Sequence, residues 1–168
     1  MDASGNVYVV GQTESSGTGQ DMIAVELSTA AREHVATWAA LFARSGRRLT
    51  VRGDDHVRAI ASRGTIGQVL DVLLDNALRH GAGSVTVTVA RDGRFALLTV
   101  EDQGPGIAGD GAGTDRIFER GASRGGGTGI GLHLARTLAR ADRGSLRLTR
   151  AAPPCFELRL RAAAPEAP

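Results

Sequence analysis

The sequence predicts an α/β domain, on three observations. Residues 27–44, 65–80 and 128–141 each place apolar residues at helical spacing. Between and after them lie short segments that alternate apolar and polar residues, some in hairpin pairs. At 168 residues and 42% hydrophobic content, the chain is long enough for one domain with a real core and too short for two.

Residues 1–21 contain Asp2–Gly5–Asn6, a Val7–Val10 strand pattern and Ser15-Ser16-Gly17-Thr18-Gly19, and read as a flexible linker or a cloning remnant. The domain proper is expected over 22–162, with 163–168 a disordered tail. The first helix follows a Ser28-Thr29 cap signal and places Ala31, Val35, Trp38, Ala39 and Phe42 on one face. Trp38 on that face reads as packing. Strand candidates follow at 48–51 and 57–60. The second helix starts near Thr65 and aligns Ile66, Val69, Leu70, Leu73, Leu74 and Ala77, leaving Asp71, Asp75, Asn76 and Arg79 off the stripe. Gly81 and Gly83 end it. Strands at 84–90 and 95–100 flank Arg91-Asp92-Gly93-Arg94, which is hairpin chemistry and predicts antiparallel neighbours. Residues 105–127 are Gly-rich without apolar periodicity and too long for a plain connection, so a mobile functional loop is expected. The third helix carries Leu132, Leu134, Ala135, Leu138 and Ala139, and a hairpin of 145–150 and 156–160 closes the domain.

Composition excludes several functions. All 20 basic residues are Arg, so a P-loop that depends on its lysine is absent. A net charge of +2 and 4% aromatic residues argue against nucleic acid as a partner. Cys155 is the sole cysteine, which rules out an internal disulfide, and its alternating apolar surroundings suggest a buried small hydrophobe. No apolar stretch approaches the roughly 20 residues needed to cross a bilayer, so a cytoplasmic domain without membrane contact is expected.

Three segments carry chemistry. Asn76 and Arg79 share a polar helix face, where a neutral amide oxygen suits Mg²⁺ and an arginine suits phosphate; alone, they would read as solvated helix positions. Asp102 closes a strand before Gly104 and Gly106, and its carboxylate can accept a hydrogen bond from an exocyclic amine, which distinguishes adenine from guanine. By itself it could equally be a turn-forming Asp. Gly104, Gly106 and Gly109 also match a dinucleotide-binding pattern, but Gly109-Asp110-Gly111-Ala112-Gly113-Thr114 cannot open the helix that pattern requires. Gly127, Gly129 and Gly131 run into the third helix and aim backbone N–H groups at an anion, or else serve close helix packing.

Taken together, Leu73-Leu74-Asp75-Asn76-Ala77-Leu78-Arg79-His80, Asp102-Gln103-Gly104-Pro105-Gly106-Ile107, Ile117-Phe118-Glu119-Arg120 and Gly127-Thr128-Gly129-Ile130-Gly131-Leu132 resemble the N box, first glycine box, F box and second glycine box of sensor histidine kinases. The resemblance covers roughly residues 22–162. It implies the Bergerat (GHKL) fold: a two-layer α/β sandwich with a mixed, mostly antiparallel sheet, helices on one face, and ATP with Mg²⁺ under a flexible lid. It makes Asn76 the metal ligand and Asp102 the adenine reader, with Gly104, Gly106 and Ile107 close to the base. Arg79 and Arg120 would contact phosphates, cradled by Gly127, Thr128, Gly129, Ile130, Gly131 and Leu132, and Phe118 would anchor the lid.

Two departures stand out. Val72 replaces the Glu that activates water in the hydrolysing relatives and the Asn that many histidine kinases carry, so hydrolysis is not expected; Gly121 replaces the second aromatic of the F box. None of His34, His56, His80 or His133 has the context of a phosphoacceptor. The resemblance therefore implies a catalytic domain, monomeric when isolated, whose partner is the dimerisation and phosphoacceptor-histidine domain of its parent kinase and, indirectly, a response regulator. An interaction module of the same fold without transfer activity, and an anti-sigma-type serine kinase, are the alternatives.

Overall fold

The computed structural model describes residues 22–62, 64–107, 115–119 and 130–164. In chain order the elements are β1 (Met22–Glu26), α1 (Leu27–Arg44), β2 (Leu49–Gly53), β3 (Arg58–Ser62), α2 (Thr65–His80), β4 (Val85–Asp92), β5 (Phe95–Glu101), a 3₁₀ turn (Arg116–Phe118), α3 (Gly131–Ala141), β6 (Ser145–Arg150) and β7 (Cys155–Ala162).

The sheet runs β1-β3-β7-β5-β4-β2, with β6 also on β7. Only β2 and β4 are parallel, Leu49 opposite Val85; the other pairings are antiparallel. The period-two side-chain alternation of a strand sorts the two faces. Val85, Val87 and Val89 of β4, Ala96, Leu98 and Val100 of β5, and Phe156, Leu158 and Leu160 of β7 are buried, whereas the residues between them stay partly exposed. The three helices cover the buried face, α2 lying between α1 and α3. The result is the two-layer α/β sandwich.

Leu70, Leu73 and Leu74 of α2 are fully buried with Ile66, Val69 and Ala77, so the predicted stripe is the one that packs, at about 1.5–3 kcal/mol for each large side chain. The other helices are less regular. Ala39 of α1 and Leu134 of α3 are exposed, because each lies at the edge of an arc of which the sheet covers only the centre. Trp38 is half-buried at the α1–α2 seam and donates its indole N–H to Asp71 Oδ1 at 2.8 Å.

One strand was not foreseen, and three expectations are corrected. Residues 22–26 form an edge strand that alternation did not reveal, since a lateral strand needs little apolar patterning. Ser28 does not cap α1: the N-cap is Glu26, and the Ser28 hydroxyl donates to Asp54 O and accepts from Val57 N–H. Cys155 is only half-buried, opposite Glu101 on the open side of the sheet. Ala163 is buried and donates its N–H to Arg58 O at 2.9 Å, so the folded chain passes the expected end of the domain. The Val7–Val10 strand pattern lies outside the described residues.

Candidate nucleotide site

β5 delivers Asp102 to the end of the sheet beside the C-terminus of α2. Its carboxylate is buried, 5% exposed, and both of its hydrogen bonds among the described residues go to one oxygen: Oδ1 accepts from Gly104 N–H at 2.6 Å and from Ala82 N–H at 3.4 Å. Oδ2 accepts no hydrogen bond from the described residues.

The glycines around it have protein-side reasons. A methyl group at Gly104 would sit 2.5 Å from Asp102 Oδ1, and one at Gly81 would sit 2.6 Å away, so both positions leave room for the carboxylate itself. Gly106 has φ +103° and passes so close to the β6–β7 turn that a methyl group would lie 2.7 Å from Ala152 Cβ. Beside the closeness to the base that the resemblance implies, Gly104 and Gly106 thus have a reason within the protein: they let the loop fold around Asp102 and against residues 151–154. That turn accepts Asp102 N–H at Pro154 O and Ile107 N–H at Ala151 O, fixing both ends of the loop.

On α2, Asn76 is half-buried, and Arg79 lies one turn on, donating Nε–H to Asp75 Oδ1 at 2.8 Å. Asp75 raises the Arg79 pKa above its ordinary value, so the guanidinium remains a fixed cation. Val72, on the preceding turn, faces the start of α3: a methyl group added at Gly131 would meet Val72 Cγ1 at 3.4 Å, an ordinary van der Waals contact. The Val72 side chain thus lies beside Gly131 at the start of α3.

Only 105–107 and 115–119 of the expected Gly-rich loop are described, and neither piece is loose. Phe118 is buried, meets Phe156 edge-on with centroids 6.2 Å apart, and lies under Arg136, whose guanidinium carbon is 4.8 Å from the ring centroid. Arg136 also pairs with Asp115 at 2.9 Å, and His133 Nδ1 lies 3.0 Å from Phe118 O. Leu132 is half-buried against the core and Ile130 is exposed. Arg120, Gly121, Gly127, Thr128 and Gly129 lie outside the described residues.

Gln103 and Ala82 were not singled out in the sequence. Gln103 N–H donates to Ala82 O, and its side-chain oxygen accepts from Ser84 N–H, joining the Asp102 loop to the end of α2. Adjacency of Gln103 to Asp102 was the only available signal.

Residues 61–164 match the family model described as histidine kinase-, DNA gyrase B-, and HSP90-like ATPase. The chain belongs to this ATPase family. The sensor histidine kinase component HK1 of Mycobacterium tuberculosis is 32% identical over 133 residues, 77% of this chain and 79% of that protein. The sensor protein ChvG of Agrobacterium fabrum is 40% identical over 92 residues, 49% of this chain but 15% of that protein. Full-length ShkA, solved in complex with AMPPNP, superposes with a TM-score of 0.75 at 24% identity, over 87% of this chain and 32% of that one. The chain thus spans from about a seventh to about four fifths of these relatives. It is an ATP-binding catalytic domain of the sensor histidine kinase type. No helix among the described residues of this ATPase domain is long and apolar enough to cross a membrane.

Proposed function

We propose that this domain binds ATP with Mg²⁺ and passes the γ-phosphoryl group to a histidine on a separate dimerisation domain of its parent kinase, on the cytoplasmic side, for onward transfer to a response regulator. The observation that carries the reading is the buried Asp102, whose Oδ1 is committed to the loop while Oδ2 remains for the adenine amine. Phosphoryl transfer breaks the bond between γ-phosphorus and the β–γ bridging oxygen, forms a nitrogen–phosphorus bond, and releases ADP. The protein's task is positioning and charge neutralisation, for which Asn76, Arg79 and Arg120 on one side and Gly127, Thr128, Gly129, Ile130, Gly131 and Leu132 on the other are the candidate groups.

The residues present fit Mg²⁺ arriving with the nucleotide. Among the described residues, no group of three or more His, Cys, Asp and Glu could hold an ion alone, whereas Asn76 offers the single neutral oxygen that suits a cation already bound to phosphates and water. Bound there, the ion would neutralise phosphate charge. Asn76→Asp adds a negative charge at a half-buried surface position, so folding should be nearly unchanged while transfer to the dimerisation domain falls at least about tenfold, consistent with a changed charge balance at the metal. Full transfer by this variant would remove the metal role.

None of the chain's own histidines has the sequence context of a phosphoacceptor. His34 Nδ1 lies 3.0 Å from Ala30 O and His133 Nδ1 is at Phe118 O; His56 and His80 are exposed on a turn and at a helix end. With Val72 in place of a water-activating carboxylate, the domain alone should neither label itself nor hydrolyse ATP appreciably. An imidazole that is largely neutral near pH 7 attacks phosphorus without a strong base, so transfer survives that loss. Mixing the chain with labelled ATP and the dimerisation hairpin of its parent kinase should give acid-labile phosphate on the hairpin. ATP binding without any transfer would favour the interaction-module reading, which the apolar Val72 beside Gly131 supports.

Gly131 offers a separate check. An alanine fits beside Val72 without a clash and lies in a helix, so Gly131→Ala should keep or raise thermal stability, by up to about 1 kcal/mol. If the glycine also admits phosphate to the helix N-terminus, ATP affinity should fall in the same variant. Unchanged affinity by calorimetry would leave Gly131 a packing residue.

A further inference from the structure

Arg47 belongs to none of the four boxes, yet its side chain reaches the base loop through one intermediate. It lies in the turn after α1, with its guanidinium carbon 5.4 Å from the centroid of the Phe42 ring. From there Nε donates to Gly83 O at 2.7 Å, and Nη1 donates to Ala77 O at 2.7 Å and to Leu78 O at 3.3 Å. A planar cation thus ties the last carbonyls of α2 to the turn that follows, adding to the Gly81 N–H bond that Ala77 O already accepts at 3.0 Å, at a helix end whose dipole favours positive charge. The fork is held in place even though Nη2 is buried with no partner among the described residues.

The turn it holds, residues 81–84, makes three bonds to the base loop. Ala82 N–H reaches Asp102 Oδ1, Gln103 N–H reaches Ala82 O at 3.0 Å, and Ser84 N–H reaches Gln103 Oε1 at 2.9 Å. The opposite side of the loop rests on the β6–β7 turn, whereas the hydrogen bonds of the Arg47 side chain among the described residues go to α2 and Gly83. We infer that Arg47 is a positioning residue for base recognition: by fixing the Gly83 and Ala77 carbonyls it sets the turn that orients the Asp102 carboxylate, and so sharpens selection of a 6-amino purine. The inference rests on the adenine-reading role of Asp102.

An arginine that merely capped α2 would affect stability alone, so the test reads selectivity. ATP and ITP differ in the group at purine position 6, an amine against a carbonyl. Calorimetry with Mg²⁺ is carried out for both on wild type, Arg47→Met and Arg47→Lys, with thermal unfolding of the same samples. Wild type should prefer ATP. Arg47→Met should reduce that preference about tenfold, the loss falling on ATP and not ITP, as expected when one charge-assisted hydrogen bond loses its alignment. Arg47→Lys keeps the charge but not the fork, and should recover part of the preference.

Lower stability with an unchanged ATP/ITP ratio in both variants overturns the positioning role. A wild type that binds ATP and ITP equally overturns the base-reading role of Asp102, and this inference with it, which separates the two failures. Should Arg47→Met not fold, Arg47→Lys carries the comparison; failure of both to fold assigns Arg47 to the fold alone and overturns the inference.

Discussion

Asp102→Asn is expected to weaken ATP binding about 10- to 100-fold while leaving the protein folded, and to turn its preference towards purines that carry a carbonyl in place of the amine. The geometry separates two functions of the carboxylate. Oδ1 accepts the Gly104 and Ala82 N–H groups, and an asparagine oxygen can take over both. Oδ2 becomes an NH₂ group, so a donor faces the adenine amine where an acceptor stood. Losing a hydrogen bond to a charged acceptor costs about 1.5–3 kcal/mol, which gives the stated range. Calorimetry with ATP and ITP checks it; ATP affinity within threefold of wild type would exclude Asp102 from base recognition. Asp102→Ala is a poorer probe, because it also strips the partner from two loop N–H groups in the space that Gly81 and Gly104 keep open.

The second large effect lies in the fold. Asp142, at the C-terminal end of α3, is 1% exposed; its Oδ2 accepts Ser62 N–H at 2.8 Å and its Oδ1 accepts the Ser62 hydroxyl at 2.5 Å. This clasp joins α3 to the end of β3, 80 residues away in sequence. Asp142→Ala leaves two buried donors unpaired, each costing about 1–3 kcal/mol, with some relief from removal of a buried charge. A loss of about 3 kcal/mol is expected, or a fall in Tm of roughly 10 °C for a domain of this size. Ser62→Ala removes one bond and keeps the other, so about half that loss should follow. The two effects should not add in the double variant, since the partners are in contact. Denaturant unfolding of the three variants measures this, and single-variant losses below 0.5 kcal/mol would remove the clasp from the stability of the domain.

The difference between what was legible and what was not follows from the range of each interaction. The α2 stripe from Ile66 to Ala77 and the alternation of β4 and β5 are periodic patterns in contiguous sequence, and they appear in the structure within one or two residues of their expected limits. The four boxes were legible for a related reason: each motif is local, and only their order had to be read along the chain. The edge strand β1 carries little patterning because it pairs on one side only among the described residues, and Ser28, a cap by its position in the sequence, is drawn instead to Asp54 and Val57.

By itself, then, the sequence determined the helices, the central hairpins and the family, because backbone periodicity and short motifs depend on neighbours in the chain. Tertiary structure alone decided how the site is held. Gly104 and Gly106 stand out in the sequence beside Asp102, and only the fold shows that their missing side chains make room for Asp102 and for the β6–β7 turn. Arg47 and the Asp142–Ser62 clasp act across 30 or more residues, and no local pattern marks them. Hydrogen bonds at such separations are set only when the sheet order brings the ends of α2, β3, β5 and α3 to their partners, so folding, and not chain proximity, selects which polar groups meet.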